Sequence, residues 1–242
     1  MFEEERRKYL QKHGFEAMRL KAVLFDMDGV LFDSMPNHAY SWTHAMGRFG
    51  LHITSEEAYM HEGRTGGGTI NLLARRDWGR DATEEEKRMI YQAKSELFSR
   101  CPEAPQMPGA YELLKKVKAD GIIPVLVTGS GQLTLLERLN RSFPDIFRKE
   151  LMVTSFDVKY GKPNPEPYLI GLQKAGIAPN EGLVVENAPL GVQAGSAANI
   201  FTIAVNTGPL PDQVLLDAGA DLLFPSMNSL CEHWDEIRDT FL

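Results

Sequence analysis

The chain has 242 residues, of which 43% are hydrophobic and 24% charged, and its formal net charge at pH 7 is −7. This composition is that of a globular protein long enough to bury a sizeable core. The acidic balance argues against a nucleic-acid partner, because binding to a phosphate backbone needs clustered Lys and Arg. An acidic protein that handles phosphate would need local help from a metal ion or a few well-placed cations.

Residues 1–20 form a densely charged N-terminal extension, where a signal peptide would have an apolar centre. No apolar run approaches membrane-spanning length, so we expect no membrane partner and a cytoplasmic location. Cys101 and Cys231 have no close Cys or His at metal-ligand spacing, which favours reduced, inert thiols.

Short apolar runs rich in β-branched residues are typical of strands that are buried on both faces. Helical patterns separate the later runs, which is the alternation of an α/β protein. We therefore predict a Rossmann-like, doubly wound, mostly parallel sheet. The predicted strands are 21–25, 122–128, 151–156, 183–186, 201–205 and 221–224, and the clearest helical patterns are 109–121, 131–143 and 166–176.

The region between the first two predicted strands has a different character and contains no strand pattern. Helices are expected to begin at Pro36, at the capping box Thr54–Glu57 and at the capping box Thr83–Glu86. The sequence GRTGGG at 63–68 predicts a flexible break between them. These patterns indicate an all-helical cap domain inserted into the core.

The expected domain division follows from this insertion. Prolines near both ends of the helical region indicate hinges at Asp33–Pro36 and Pro102–Pro108, about which a lid could open and close. The division is an extension at 1–20, a core formed by 21–35 and 106–242, and a cap at 36–105.

Polar residues follow four of the predicted strands at the point where each strand ends. Ligands of parallel α/β sheets collect at the carboxyl ends of the strands, so these residues are expected to converge. Like-charged acids this close cost free energy unless a cation or a phosphoryl group uses them. The residues are Asp26, Asp28 and Gly29 after the first strand, Thr128, Gly129 and Ser130 after the second, Lys162 after the third, and Glu186 and Asn187 at the end of the fourth.

Taken singly, these residues have simpler explanations. Asp26 and Asp28 could form a turn with helix-capping carboxylates, and Thr128 could be a helix N-cap. Lys162 could be a solvated surface lysine, although the prolines around it restrict the loop. His38 lies one helical turn from Trp42 on an apolar stripe, which favours packing within the cap.

The ordered set DMDGV, VTGS, GKPNPEPY and VVENAPLG resembles the four motifs of the haloacid dehalogenase superfamily. More narrowly, the chain is similar to the β-phosphoglucomutase and phosphatase branch, in which a helical cap follows the first motif. The resemblance covers residues 20 to about 225 and leaves out the N-terminal extension. It implies an enzyme that transfers or hydrolyses phosphoryl groups.

The resemblance also implies the role of each motif residue. Asp26 would attack phosphorus and become an aspartyl-phosphate, and Asp28 would give a proton to the leaving oxygen and then take one from water. Thr128, the amides near Gly129 and Ser130, and Lys162 would hold the phosphoryl oxygens. Mg²⁺ would be bound by the Asp26 carboxylate, the Asp28 carbonyl and Asn187, with Glu186 acting through water or from behind the ligands.

Asn187 and His38 are two further positions that can be compared with the family pattern. Members usually carry an aspartate where this chain has Asn187, so we expect weaker Mg²⁺ binding. That change leaves open a catalytically silent binding protein on the same scaffold. His38 occupies a position that lines the cleft between cap and core in the mutases, which makes it a candidate for contact with substrate.

Substrate preference depends on the sequence MHEGRTGGG, where Glu62 stands at about the position of a lysine in β-phosphoglucomutases. Glu62 could pair with Arg64 or face solvent. It could instead reach the Mg²⁺ shell when the cap closes, leaving a small, tight chamber with Arg64 near the leaving group. On that interpretation the chain resembles a Bacteroides-type inorganic pyrophosphatase and acts as a monomer on pyrophosphate or another small phosphorylated substrate. The alternative is a β-phosphoglucomutase or sugar-phosphate phosphatase.

Overall fold

A six-stranded parallel sheet forms the centre of the molecule in the computed structural model, which describes residues 2–129 and 135–241. The strand order is β3-β2-β1-β4-β5-β6, so that β1 lies in the middle of the sheet. This order confirms the predicted α/β, Rossmann-like fold. The strands are β1 (Ala22–Phe25), β2 (Ile123–Val127), β3 (Met152–Val153), β4 (Gly182–Glu186), β5 (Phe201–Val205) and β6 (Leu222–Phe224).

Helices account for most of the remaining described chain. They are α1 (Glu3–His13), α2 (Met35–Arg48), α3 (Ser55–Met60), α4 (Gly66–Trp78), α5 (Glu84–Ser99), α6 (Ala110–Ala119), α7 (Leu135–Ser142), α8 (Glu166–Ala175), α9 (Pro189–Ala197), α10 (Asp212–Asp217), α11 (Met227–Glu232) and α12 (Trp234–Phe241). Among the residues described, no helix has the length and apolar character that a bilayer span requires.

Alternation along each strand places hydrophobic side chains on both faces of the sheet. In β1, Val23 and Phe25 join a cluster that includes residues of α6, α11 and α12, whereas Ala22 and Leu24 join one that includes residues of α8 and α9. Every residue of β1 is therefore buried, as expected of a central parallel strand. Because both faces of the sheet are covered, a ligand can bind at the carboxyl edge.

Helices α2 to α5 follow β1 and share a hydrophobic cluster of their own, apart from the clusters at the sheet. Both expected capping boxes are present, at Thr54 with Glu57 and at Thr83 with Glu86. We call these four helices the cap. The exact division at residues 36 and 105 stays a prediction.

The predicted flexible break at 63–68 is wrong in its second half. Gly66 begins α4, and the Oγ1 atom of Thr65 accepts a hydrogen bond from the backbone N–H of Gly68 at 3.2 Å. An N-cap threonine and the packing of Ile70 and Leu73 in the cap stabilise this helix despite three glycines in its first turn.

One strand is shorter than predicted, and the N-terminal extension contains a helix on which no prediction was made. Strand β3 is limited to Met152–Val153, because Asp157 Oδ2 accepts hydrogen bonds from both the N–H and the hydroxyl of Thr154, each at 2.8 Å, and so starts a turn. The charged N-terminal extension contains α1, which packs on the core through the fully buried Tyr9. The Tyr9 hydroxyl donates to the carbonyl of Asn199 at 2.8 Å.

Candidate active site

Four strand ends bring the motif residues together at one edge of the sheet. Asp26 directly follows β1, Thr128 directly follows β2, and Glu186 ends β4 with Asn187 next in the chain. Lys162 comes from the loop between β3 and α8. All five side chains are buried. The predicted convergence of these residues is therefore what the structure has.

Lys162 is the central cation of this edge. Its Nζ donates to Asp26 Oδ1, to Glu186 Oε1 at 2.6 Å and to the Val127 carbonyl at 3.2 Å. Burial alone would lower the pKa of Lys162, but the charges of Asp26 and Glu186 outweigh burial and raise it. The lysine is not a solvated surface residue; it is a fixed positive charge beside Asp26.

Glu186 holds that lysine in place. Its Oε1 also accepts from the hydroxyl of Tyr168 at 2.7 Å, and its Oε2 accepts from the backbone N–H of Asn187 at 3.0 Å. A Cβ at Gly191 would lie 1.9 Å from Glu186 Oε1, so only glycine leaves room for this carboxylate. Glu186 thus acts behind Lys162.

Asp26 has two oxygens in different situations. Oδ1 is bonded to Lys162, whereas Oδ2 is buried and has no hydrogen-bond partner among the described residues. Burial raises the pKa of Asp26, Lys162 lowers it, and the charges of Glu186 and Asp28 raise it. A buried carboxylate oxygen without a partner is costly unless a ligand uses it.

Asp28 is held as an ionised carboxylate by its neighbours. Its Oδ1 accepts from the hydroxyl of Ser34 at 2.5 Å and lies 3.3 Å from Nε2 of His38. Burial would raise the pKa of Asp28, but His38 and Ser34 lower it to about 2. Asp26 and Asp28 therefore do not form the plain turn with helix-capping carboxylates that the sequence left open.

His38 links the cap to Asp28 and is itself bound by Lys94 of α5. Lys94 Nζ lies 3.0 Å from His38 Nδ1, and an ammonium group can only donate. Nδ1 therefore accepts, and the ring proton is on Nε2, facing Asp28. Burial lowers the pKa of His38, with Lys94 acting in the same direction and Asp28 opposing, which favours the neutral ring.

Lys94 lies in none of the four sequence motifs and was not predicted as a site residue. The one sequence feature that could have identified it is its position on the apolar stripe of α5 between Ile90 and Leu97, because a lysine on the buried face of a helix needs a partner. His38, by contrast, was a candidate for either packing or the cleft, and it does both: its ring lies 4.4 Å from the ring of Phe98.

Gly29 permits the close approach of the turn after Asp28 to Asn187. Its φ is +85°, and a Cβ there would lie 2.0 Å from Nδ2 of Asn187. The Oδ1 atom of Asn187 is buried and has no hydrogen-bond partner among the described residues. The turn after Asp28 thus packs against the Asn187 side chain, whose amide oxygen is left unpartnered.

These oxygens fit a hard divalent cation. Asp26 Oδ2, Asn187 Oδ1 and Glu62 Oε2 are each buried without a hydrogen-bond partner in the part of the chain described. Carboxylate and amide oxygens are the ligands that Mg²⁺ prefers. Among the described residues, no group of three His, Cys, Asp or Glu side chains could hold a metal ion by itself, so a cation site here would include the amide oxygen of Asn187.

The cap is closed over this edge. A Cβ at Gly63 would lie 2.9 Å from Cδ of Lys162, and one at Gly161 would lie 3.0 Å from Cγ2 of Thr65. The loop between α3 and α4 therefore rests on the lysine loop. Burial, followed by the charges of Asp28 and Asp26, raises the pKa of Glu62 well above its usual value.

Glu62 thus lies among the acids of the core, and the described contacts include no pairing with Arg64, whose Nε is buried without a partner. Both alternatives that the sequence left open for Glu62, pairing with Arg64 or facing solvent, differ from this arrangement. Gly129 lines the cavity, Thr128 is buried at the end of β2, and Ser130 falls outside the described residues.

The cavity between cap and core has a volume of about 740 Å³. The expected small, tight chamber is therefore wrong, because this volume exceeds what a compact metal-bound anion fills. Trp42 of α2 and Tyr91 and Phe98 of α5 lie on the wall of this cavity. His38, Glu62 and Arg64 line the same space, and their contact with substrate stays a prediction.

Comparison with known proteins gives a consistent family. The profile of the haloacid dehalogenase-like hydrolases matches residues 20–199. Hexitol phosphatase A of Escherichia coli (strain K12) is 35% identical over 78% of this chain and 84% of its own length. A phosphorylated carbohydrates phosphatase of Thermotoga maritima is 32% identical over 83% and 92%.

Solved structures agree. One from Bacteroides vulgatus, provisionally assigned as a β-phosphoglucomutase, is 63% identical with a TM-score of 0.97 over 100% of this chain and 98% of that one. The profile match and the two phosphatases, each more than 30% identical, show the family. The chain belongs to the haloacid dehalogenase-like hydrolases and is a phosphatase of their β-phosphoglucomutase-like branch.

Proposed function

We propose that this phosphatase depends on Mg²⁺ and works through an aspartyl-phosphate on Asp26. The main support for this proposal comes from the Asp26 carboxylate, which is buried under the closed cap. One of its oxygens is bonded to Lys162, and the other has no partner among the described residues. Such a carboxylate can bind a cation through one oxygen and attack phosphorus with the other. A silent binding protein is not supported, because the chain's relatives include phosphatases.

Mg²⁺ bound by Asp26 and Asn187, with Glu62 from the cap, would offset the charge of the phosphoryl oxygens. Lys162 adds a fixed positive charge at the same place. In the first step a bond forms between Asp26 and phosphorus while the bond from phosphorus to the leaving oxygen breaks, and that oxygen takes a proton that Asp28 acquires before the cap closes and His38 lowers its pKa. In the second step water attacks phosphorus and gives its proton to Asp28 while the bond between phosphorus and the Asp26 oxygen breaks, which releases phosphate and restores the Asp26 carboxylate.

His38 and Lys94 support the second step. The ionised Asp28 is the form that accepts a proton from water, and the N–H of His38 aims at that carboxylate. Because both residues come from cap helices, the arrangement forms only when the cap is closed. Closure thus couples exclusion of water to positioning of the proton acceptor.

A small phosphorylated carbohydrate is the substrate class that the comparisons favour over pyrophosphate. Two relatives are named as phosphatases of hexitol phosphate and of phosphorylated carbohydrates, and a 740 Å³ cavity accommodates a sugar. The alternative drawn from the sequence, a sugar-phosphate phosphatase or β-phosphoglucomutase, is thereby better supported than an inorganic pyrophosphatase.

Pyrophosphate is a second candidate because of Glu62. A carboxylate beside Asp26 and Asp28 repels a bare phosphate but stabilises a phosphate that arrives with Mg²⁺. Pyrophosphate carries its charge in a compact, metal-binding form. A cytoplasmic, monomeric enzyme remains part of either proposal, and light scattering on the purified protein tests the oligomeric state.

A side-by-side comparison of kcat/KM for pyrophosphate, β-glucose 1-phosphate and hexose 6-phosphates decides between the candidates. Glu62→Ala and the exposed control Glu56→Ala are measured with each substrate. Preference for a sugar phosphate supports the first candidate. Preference for pyrophosphate, lost in Glu62→Ala and kept in Glu56→Ala, supports the second. No phosphate release from any substrate with Mg²⁺ would contradict the proposed function.

A further inference from the structure

In the part of the chain that the structure describes, three cationic side chains line the wall of the cavity: Arg64 and Lys94 from the cap and Arg138 from α7 of the core. Lys94 is bonded to His38. Arg138 stands apart, because no motif includes it and no step described above uses it. It is nevertheless placed where substrate must lie.

The guanidinium group of Arg138 is fixed and short of partners. Its Cζ lies 3.9 Å from the centre of the buried ring of Phe32, so the plane of the aromatic ring orients it. Its Nε and Nη2 are buried and have no hydrogen-bond partner among the described residues. Leaving charged donors buried and unsatisfied is costly, so this arrangement points to an anionic ligand.

The position of Arg138 indicates which part of the substrate would carry this anionic group. Arg138 and His38 line the same cavity. Burial is the main cause that lowers the pKa of His38, and the charge of Arg138 acts in the same direction. His38 in turn faces Asp28, the residue that serves the leaving oxygen. The phosphoryl group under attack is already next to Lys162, on the side of Asp26. Arg138 therefore belongs to the leaving-group side of the cavity.

We infer that Arg138 is a specificity-determining residue that binds a second phosphate group of the substrate, the one that is not transferred. The inference rests on the proposed function and extends it. A guanidinium presents its N–H groups in a fixed fork that matches phosphate oxygens. In a protein of net charge −7, a second phosphate needs such a local cation. Both pyrophosphate and a sugar bisphosphate supply that group.

The test compares Arg138→Met and Arg138→Lys with the parent. Methionine keeps an unbranched side chain over Phe32 and removes the charge, whereas lysine keeps the charge and removes the fork. Arg141→Met is the matched control, because Arg141 lies one turn later on α7, is exposed and pairs with Glu103. Substrates are pyrophosphate, a hexose bisphosphate and para-nitrophenyl phosphate, which has one phosphate only.

Arg138→Met is expected to lower kcat/KM about 10- to 100-fold for whichever two-phosphate substrate the parent prefers, and less than about 3-fold for para-nitrophenyl phosphate. Arg138→Lys is expected to fall in between, and Arg141→Met to match the parent. Equal losses on one-phosphate and two-phosphate substrates, or no loss, would overturn the inference. The two-phosphate substrate that the parent prefers shows whether the enzyme acts on a phosphate anhydride or on a sugar bisphosphate.

A binding measurement separates this inference from the proposed function. Calorimetry of pyrophosphate and of the hexose bisphosphate with Asp26→Asn, with and without Arg138→Met, needs no turnover. At least about 10-fold weaker binding of one of these probes in the double variant supports a second-phosphate site even if no phosphatase activity is found. Unchanged binding of both overturns the site while leaving the phosphatase proposal intact.

Discussion

Replacing Lys94 with methionine tests the link between the cap and Asp28. Methionine has similar length and keeps the contact of this side chain with the ring of Phe98, which lies 4.6 Å from Nζ. What is lost is the charged hydrogen bond of 3.0 Å to Nδ1 of His38. That bond fixes the ring proton on Nε2, which faces Asp28 at 3.3 Å.

Hydrogen bonds to charged groups contribute about 1.5–3 kcal/mol. We therefore expect kcat to fall about 10- to 100-fold if that free energy supports the transition state. KM should change by less than about 3-fold, because in this account Lys94 acts through His38 and not on the substrate.

The assay is steady-state phosphate release at saturating Mg²⁺. Lys87→Met is the matched control, since Lys87 lies on the same helix but bonds to the exposed Glu84. A Lys94→Met enzyme with the kcat of the parent would show that Lys94 does not act through His38. An equal loss of kcat in Lys87→Met would show the same. A rise in KM alone would assign Lys94 to substrate binding instead of positioning.

Three further variants have defined outcomes. Gly191→Ala places a Cβ 1.9 Å from Glu186 Oε1, so that carboxylate must move and kcat should fall at least about 10-fold in the phosphate assay. Asn187→Asp should tighten Mg²⁺ in a calorimetric titration, and unchanged affinity would exclude this side chain as a ligand. Burial raises the pKa of Asp221 to about 6, so its ionisation destabilises the fold as pH rises from 4 to 7. Urea unfolding should show Asp221→Asn gaining up to about 3 kcal/mol over the parent across that interval, and parallel pH profiles would contradict this.

Much of the core could be predicted because its local patterns and its tertiary environment agree. The residues of β1 are continuously apolar, and the structure buries them on both faces of a central strand. Asp26 comes next in the chain, so its place at the sheet edge follows from parallel topology alone. The same reasoning locates Thr128 and Asn187, whose strands flank β1.

The remaining differences come from long-range contacts that a local pattern does not contain. The glycines at 66–68 favour a loop, but burial of α4 in the cap makes them helical. Lys94 and Arg138 become candidates only when their helices are placed around the cavity. The cavity is also larger than expected, because its size depends on how the cap helices pack and not on the one residue, Glu62, from which it was inferred.

Trapping the covalent intermediate tests directly whether Asp26 is the nucleophile. The enzyme is mixed with Mg²⁺ and its preferred substrate, quenched during turnover and reduced with borohydride, which converts an acyl-phosphate of aspartate to homoserine. Peptide mass spectrometry then locates the reduced residue. We expect homoserine at Asp26 and at no other acid, and none in the absence of substrate. Turnover without homoserine at Asp26, or with homoserine at another carboxylate, would contradict it.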